Sequence, residues 1–256
     1  MMLFKNRDEK RFEADKAEYI RQSAGETRFL VSDNDLHPCL ADYYQQAGAV
    51  DSHYFFQDIY VAQKVFASGV KHIHDIGSRL DGYIGHLLAM DIRVTMIDIR
   101  PLDFEIENLD FVQGNATDLG NLADNSVPAL SCLHALEHFG LGRYGDPVDY
   151  HGWEKALAHY KRILKPSGSL YLSVPSGNTE KVVFHAHRIF RPRTVFEALS
   201  DTLTLTEFSN LHDRKRTTLS FSGEADRDIA ARLDAFADEH MGEYDCGIYI
   251  FQKPGL

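Results

Sequence analysis

The chain has 256 residues, 44% of them hydrophobic and 25% charged, with a formal net charge of −11. That balance excludes a disordered or fibrous polypeptide and suits one substantial core with additions. The acidic excess also argues against a broad basic surface tracking a phosphate backbone, so no nucleic-acid partner is expected.

The first residues, MMLFKNRDEKRFEADK, alternate charges where a secretory signal would need an uninterrupted apolar stretch. No later segment approaches the roughly 20 apolar residues of a membrane span. Cys39, Cys132 and Cys246 lack metal-site spacing, and Cys132 reads as a buried thiol inside an apolar run. A cytoplasmic location is the expectation.

Residues 1–69 read as a helical extension, in which Phe55, Ile59, Ala62 and Phe66 are spaced to make one helix face. From residue 70 to residue 256 the texture changes. HIHDIG, RVTMIDI, LDFVQG, VPALSCLHAL and GSLYLSVP are short apolar runs separated by turns and helical stretches. Trp153, Ala156, Leu157, Tyr160, Ile163 and Leu164 form a core-facing helical stripe that ends at Lys165-Pro166-Ser167-Gly168. TLTLTEFS, ADRDIAARLDAFADEH and CGIYIFQK then read as strand, helix and terminal strand. The expected class is therefore α/β, a Rossmann-like, mostly parallel sheet of about seven strands with helices on both faces.

Asp75-Ile76-Gly77-Ser78-Arg79-Leu80-Asp81-Gly82 follows the first strand and opens into a helix, the setting in which a glycine-rich turn carries a nucleotide. In the dinucleotide fingerprint a middle glycine lets the backbone approach a pyrophosphate, and here Arg79 fills that slot. A nicotinamide-dependent oxidoreductase is thereby disfavoured. S-adenosylmethionine has no phosphate, and its ammonium and carboxylate suit Asp75 and Arg79. Asp98, with Ile99 at the end of the second strand, is placed to accept from ribose hydroxyls. Asp118, with Ala116 and Thr117 after the third strand, is the candidate for the adenine amine. Leu133, Ser78, Gly77 and Gly82 complete the expected cofactor set.

The segment after the fourth strand holds His134, Glu137 and His138 where an open α/β sheet gathers its ligands. His138 is the first choice for a general base, with Glu137 or His134 supporting it. The same three residues are an alternative divalent-metal set, which His185 or His187 would complete. Arg143 and Tyr144, in the loop GLGRYGDP, and His187 and Arg188, in FHAHRIFRP, are candidates for substrate contact. Tyr54, Gln57 and Asp58 are placed either to close over the cofactor or simply to pack their helix.

These motifs resemble the class I S-adenosylmethionine-dependent methyltransferases from about residue 70 to the C-terminus. Within that superfamily, YFFQD at 54–58, DIGSRLDGY at 75–83, HALEHFGLGRYGDP at 134–147 and AHRIF at 186–190 are similar to a group associated with polysaccharide gene clusters. Leu-Glu-His also resembles the Glu-x-x-Glu-His metal motif of ubiquinone-biosynthesis and small-RNA end methyltransferases, with His134 in place of the first glutamate. The resemblance implies O-methylation of a sugar or glycan precursor. A non-catalytic cofactor-binding or scaffold protein of the same fold is the competing reading. The oligomeric state is not legible.

Overall fold

The computed structural model describes residues 2–45, 50 and 52–255, and the chain divides into two compact units at Asp51/Ser52. The first unit contains α1 (Met2–Gln22) and two short turns at Asp33–Asp35 and Asp42–Tyr44. Within it the Arg11 guanidinium lies 4.0 Å from the Tyr43 ring centre, and the Tyr44 hydroxyl donates to Asp8 at 2.6 Å. No helix among the described residues is long and apolar enough to cross a membrane.

The second unit opens with α2 (His53–Ala67), whose first turn is capped by Ser52: its hydroxyl accepts from the Tyr54 N–H. Strands β1 (His72–Ile76), β2 (Arg93–Asp98), β3 (Leu109–Gln113), β4 (Val127–Leu133) and β5 (Leu164–Ser176) follow. A π turn at Leu80–Ile84 runs into the short α3 (Gly85–Ala89), and α4 (Gly152–Ile163) precedes β5. A hairpin, β6 (Lys181–Val183) and β7 (His187–Ile189), stands apart from the main sheet. The chain then forms α5 (Pro192–Glu197), β8 (Thr204–His212), β9 (Lys215–Ser220), α6 (Asp226–His240) and β10 (Asp245–Gln252).

The main sheet has eight strands in the order β3-β2-β1-β4-β5-β10-β8-β9. The first five are mutually parallel, and β10 enters antiparallel between β5 and β8. The expected count of about seven omits β9. Its run KRTTLS is almost wholly exposed and lacks an apolar face, so only pairing with β8 makes it a strand. Its Lys215 and Arg216 are suited to guarding a sheet edge.

Both faces of the sheet are covered. One buries Ala156, Leu157, Tyr160 and Ile163 of α4, with Phe196 of α5 and Leu233 and Phe236 of α6. The other buries Val61, Ala62 and Val65 of α2 with Ile84 and Leu87. The stripe on α4 is thus core, with Trp153 at its edge packing on Phe190. On α2 the face differs from expectation: Phe55 and Phe66 are exposed, while Gln57 and Asp58 point inward. The Gln57 carbonyl oxygen accepts from Ser173 Oγ at 2.7 Å, and its amide donates to Asp58 at 3.0 Å. Satisfied buried polar groups therefore set the helix's rotation, which apolar spacing could not reveal.

Candidate functional site

Strands β1 and β4 are neighbours, but the chain leaves them toward opposite sides of the sheet, to β2 on one and β5 on the other. That reversal opens a crevice beyond their C-terminal ends. A cleft of about 520 Å³, partly open to solvent, lies there. Gly77, Asp98, Ile99 and Ala116 line one part of it, and His134, His138 and Tyr144 another.

Gly77 has φ +67°, and a Cβ on it would stand 2.9 Å from the Ala135 Cβ. Both the left-handed backbone and the close approach require glycine. The turn is pinned by Asp75, which is fully buried. One oxygen accepts the Ser78 N–H at 3.0 Å, and the other accepts the hydroxyls of Ser78 at 2.7 Å and Ser131 at 2.6 Å. Ser78 Oγ in turn accepts the Leu133 N–H at 3.2 Å, joining the β1 and β4 ends. Asp75, Ser78 and Leu133, the candidates for cofactor contact, are buried and hydrogen-bonded to one another where β1 and β4 end.

Burial pushes the Asp75 carboxyl up to about 6, against the three hydrogen bonds that favour its charged form. A carboxyl with a raised folded-state pKa contributes most below its unfolded value of 3.8, and that contribution is lost as pH rises through about 6. Asp75→Asn, which keeps a hydrogen-bonding group but cannot ionise, should therefore gain stability relative to wild type as pH climbs from 4 to 7. Parallel urea melts at the two pH values check this, and an unchanging difference would refute it.

The Asp98 carboxylate lies at the end of β2 and receives the Arg100 backbone N–H at 2.8 Å. The Arg100 guanidinium adds bonds of 3.0 and 2.6 Å. Lone pairs remain on both oxygens for further donors. Arg79 is exposed and paired side-on with Asp81 at 2.9 and 2.7 Å, and with Ser78 it lines a second cavity that shares Asp98 and Arg100 with the cleft. Gly82 is a packing glycine, since a Cβ there would strike Asp58 Oδ2 at 2.2 Å. Thr117 folds back on Asn115 Oδ1 at 2.9 Å, and Asp118 is exposed outside the lining. In this loop Gly114, Asn115 and Ala116 face the cleft.

His134 sits at φ +50°, an uncommon conformation for a residue with a side chain, directly after β4. Its Nδ1 lies 3.0 Å from Glu137 Oε1, and its Nε2 is buried with no partner among the described residues. Glu137 is 1% exposed, and its Oε2 also lacks a described partner. Burial works to raise the Glu137 carboxyl, but His134 and His138 outweigh it and hold it below its ordinary range. His138 Nδ1 lies 2.6 Å from the Ala186 carbonyl, which can only accept, so Nδ1 carries the proton. Its Nε2 stands 3.6 Å from Glu137 Oε1, too far for a hydrogen bond. Burial lowers the His138 pKa despite that carboxylate, which leaves a neutral imidazole with an uncommitted Nε2.

The metal set His134, Glu137 and His138 does not assemble. Among the described residues, the set of three His, Cys, Asp or Glu side chains that brings one donor atom of each within 4.8 Å of the others is His53, His134 and Cys246. Neither His53 nor Cys246 stands out in the sequence, because they approach His134 only through the packing of α2 and β10.

The loop 140–147 winds around Asp146, which accepts from the N–H groups of Gly140 at 2.8 Å, Gly142 at 3.2 Å and Tyr144 at 3.2 Å. Arg143 donates to the Ala186 carbonyl at 3.0 Å. The Tyr144 ring lies between two guanidinium groups, 5.0 Å from Arg100 and 5.1 Å from Arg143. Arg188 is a brace, donating to the carbonyls of Phe139 at 2.7 Å and Tyr150 at 3.3 Å. His187 packs 5.4 Å from the Tyr244 ring, outside the cleft lining. Arg100 and Asn115, absent from the expected set, line the cleft; each adjoins a predicted strand end, the signal that could have found them.

A family model described as a Caenorhabditis protein of unknown function, DUF268, matches residues 96–222. No curated protein matches the chain. Among solved structures, the (4+2) cyclase SpnF superposes with a TM-score of 0.56 at 16% identity, covering 78% of this chain and 81% of its own. The 1,6-didemethyltoxoflavin-N1-methyltransferase of Burkholderia thailandensis, bound to S-adenosylhomocysteine, gives 0.54 at 13% identity over 78% and 79%. A putative sarcosine dimethylglycine methyltransferase from Galdieria sulphuraria gives 0.54 at 12% identity over 78% and 85%. The chain has the Rossmann-like α/β fold of the S-adenosylmethionine-dependent methyltransferases.

Proposed function

We propose that this chain is an S-adenosylmethionine-dependent O-methyltransferase. The observation that carries the reading is one cleft in which a glycine that tolerates no Cβ, a strand-end carboxylate and an uncommitted imidazole face the same space. Those residues suit the nucleoside. Gly77 and Ala116 supply close backbone approach, and Asp98 is the acceptor for ribose hydroxyls. Bound there, S-adenosylmethionine would supply an electrophilic methyl group on sulfur.

His138 serves as the general base, taking the proton of the acceptor hydroxyl at Nε2. The Ala186 carbonyl fixes its tautomer, and the Glu137 carboxylate stabilises the imidazolium that results. The acceptor in this reading is a sugar or glycan precursor, as the motif resemblance implies. The half-exposed Tyr144 ring and the neighbouring Arg143 suit a flat, hydroxyl-rich ligand at the rim. A cytoplasmic location belongs to the same proposal.

Calorimetry with S-adenosylhomocysteine and with NAD tests the cofactor. S-adenosylhomocysteine should bind, and Asp98→Ala should weaken it about 10- to 100-fold through loss of charge-assisted hydrogen bonds. Binding of NAD alone would overturn the assignment. The cyclase among the similar structures is a reminder that this fold carries more than one chemistry, so turnover has to be measured with labelled methyl donor against a panel of nucleotide sugars.

A further inference from the structure

At the cleft, His134 is approached by two further side chains that methyl transfer does not use. His53 at the start of α2, His134 after β4 and Cys246 on β10 are far apart in sequence, yet one donor atom of each lies within 4.8 Å of the others. The Nε2 atoms of His53 and His134 are both buried and have no partner among the described residues. Two unsatisfied ring nitrogens beside a buried sulfur are costly unless something fills the space between them.

We propose that His53, His134 and Cys246 form a mononuclear site for a divalent ion of the zinc class. The donor set of two imidazoles and one thiol selects a borderline-soft ion over magnesium or calcium, which seek oxygen. A tetrahedral zinc site separates its donors by about 3.3 to 3.6 Å, so the side chains need close in by only about 1 Å. Three protein ligands leave one coordination position for water or a substrate atom.

The surroundings of the three ligands support the assignment. His134 offers Nε2 because its Nδ1 is bonded to Glu137, the carboxylate-histidine arrangement that orients metal-binding imidazoles. The His53 ring centre lies 4.5 Å from that of His134, with the two planes tilted by 35°. Cys246 donates to Gln57 Oε1 at 3.3 Å, and that oxygen keeps the Ser173 hydroxyl at 2.7 Å when the thiol ionises. The proton lost from Cys246 passes to solvent, and the Sγ lone pair forms the metal bond.

The test is an anaerobic titration of full-length Cys39→Ser protein, freed of its exposed thiol, with cobalt(II). The expected result is one equivalent bound, with a near-ultraviolet thiolate-to-cobalt band that zinc(II) abolishes by displacement. Cys246→Ser should lose the band. His53→Gln, at a position that is partly exposed, should weaken binding at least tenfold and lose the rise in melting temperature that zinc(II) gives the parent. The His53→Gln arm decides the matter if Cys246→Ser fails to fold. A folded parent that shows no thiolate band, or a band that survives both substitutions, overturns the site. Since no methyl donor is present, this outcome is independent of the cofactor reading.

Discussion

Replacing His138 with alanine is expected to lower turnover about 10²- to 10⁴-fold while leaving S-adenosylhomocysteine affinity within about twofold of wild type. The imidazole acts on the acceptor proton, and the residues assigned to the nucleoside are Gly77, Asp98 and Ala116. Burial holds the His138 pKa below 6.5, so the base is neutral and competent at pH 7 and is lost as pH falls through that lowered value. The wild-type rate should therefore be level above neutrality and decline on acidification, and the alanine variant should lose that acid limb. Single-turnover rates over pH, using the acceptor from the labelled-donor screen, check both. Wild-type turnover in His138→Ala would remove the residue as base.

Gly140→Ala should be the most destabilising single substitution in the loop that walls the cleft, by about 3 kcal/mol, or about 6–12 °C in melting temperature. Gly140 has φ +76°, and an added Cβ would lie 1.9 Å from the Asp149 carbonyl oxygen and 2.9 Å from its carbon. Both obstacles are backbone, so no side chain can swing aside. Gly145, in the same loop, also has a positive φ of +82° but opens onto free space. Gly145→Ala should cost only the strain of the left-handed backbone, about 1–2 kcal/mol. Thermal melts of the two variants side by side make the comparison, and equal losses would show that packing against Asp149 is not what holds the loop.

The local signals for the parallel strands were strong. β4 and the second half of β5 are buried on both faces, and β1 and β2 are buried on one face with half-exposed His72, His74 and Thr95 on the other, so these runs stand out without knowledge of their partners, and the order of strand and helix then dictates a covered parallel sheet. β9 is the counterexample, an exposed polar edge whose only reason to be a strand is β8.

Spacing and chemistry alone determined the α/β architecture, the need for glycine at Gly77, the strand-end position of Asp98 and the clustering of Glu137 with its two histidines, because each depends on residues close in the chain. Only the tertiary structure decided that Asp75 pins the turn, that Gly82 makes room for Asp58, that Arg188 braces carbonyls and that His53 and Cys246 meet His134. The physical reason is that a polar side chain is assigned by its hydrogen-bonding partner, and these partners arrive from distant elements whose approach is set by packing of the whole core.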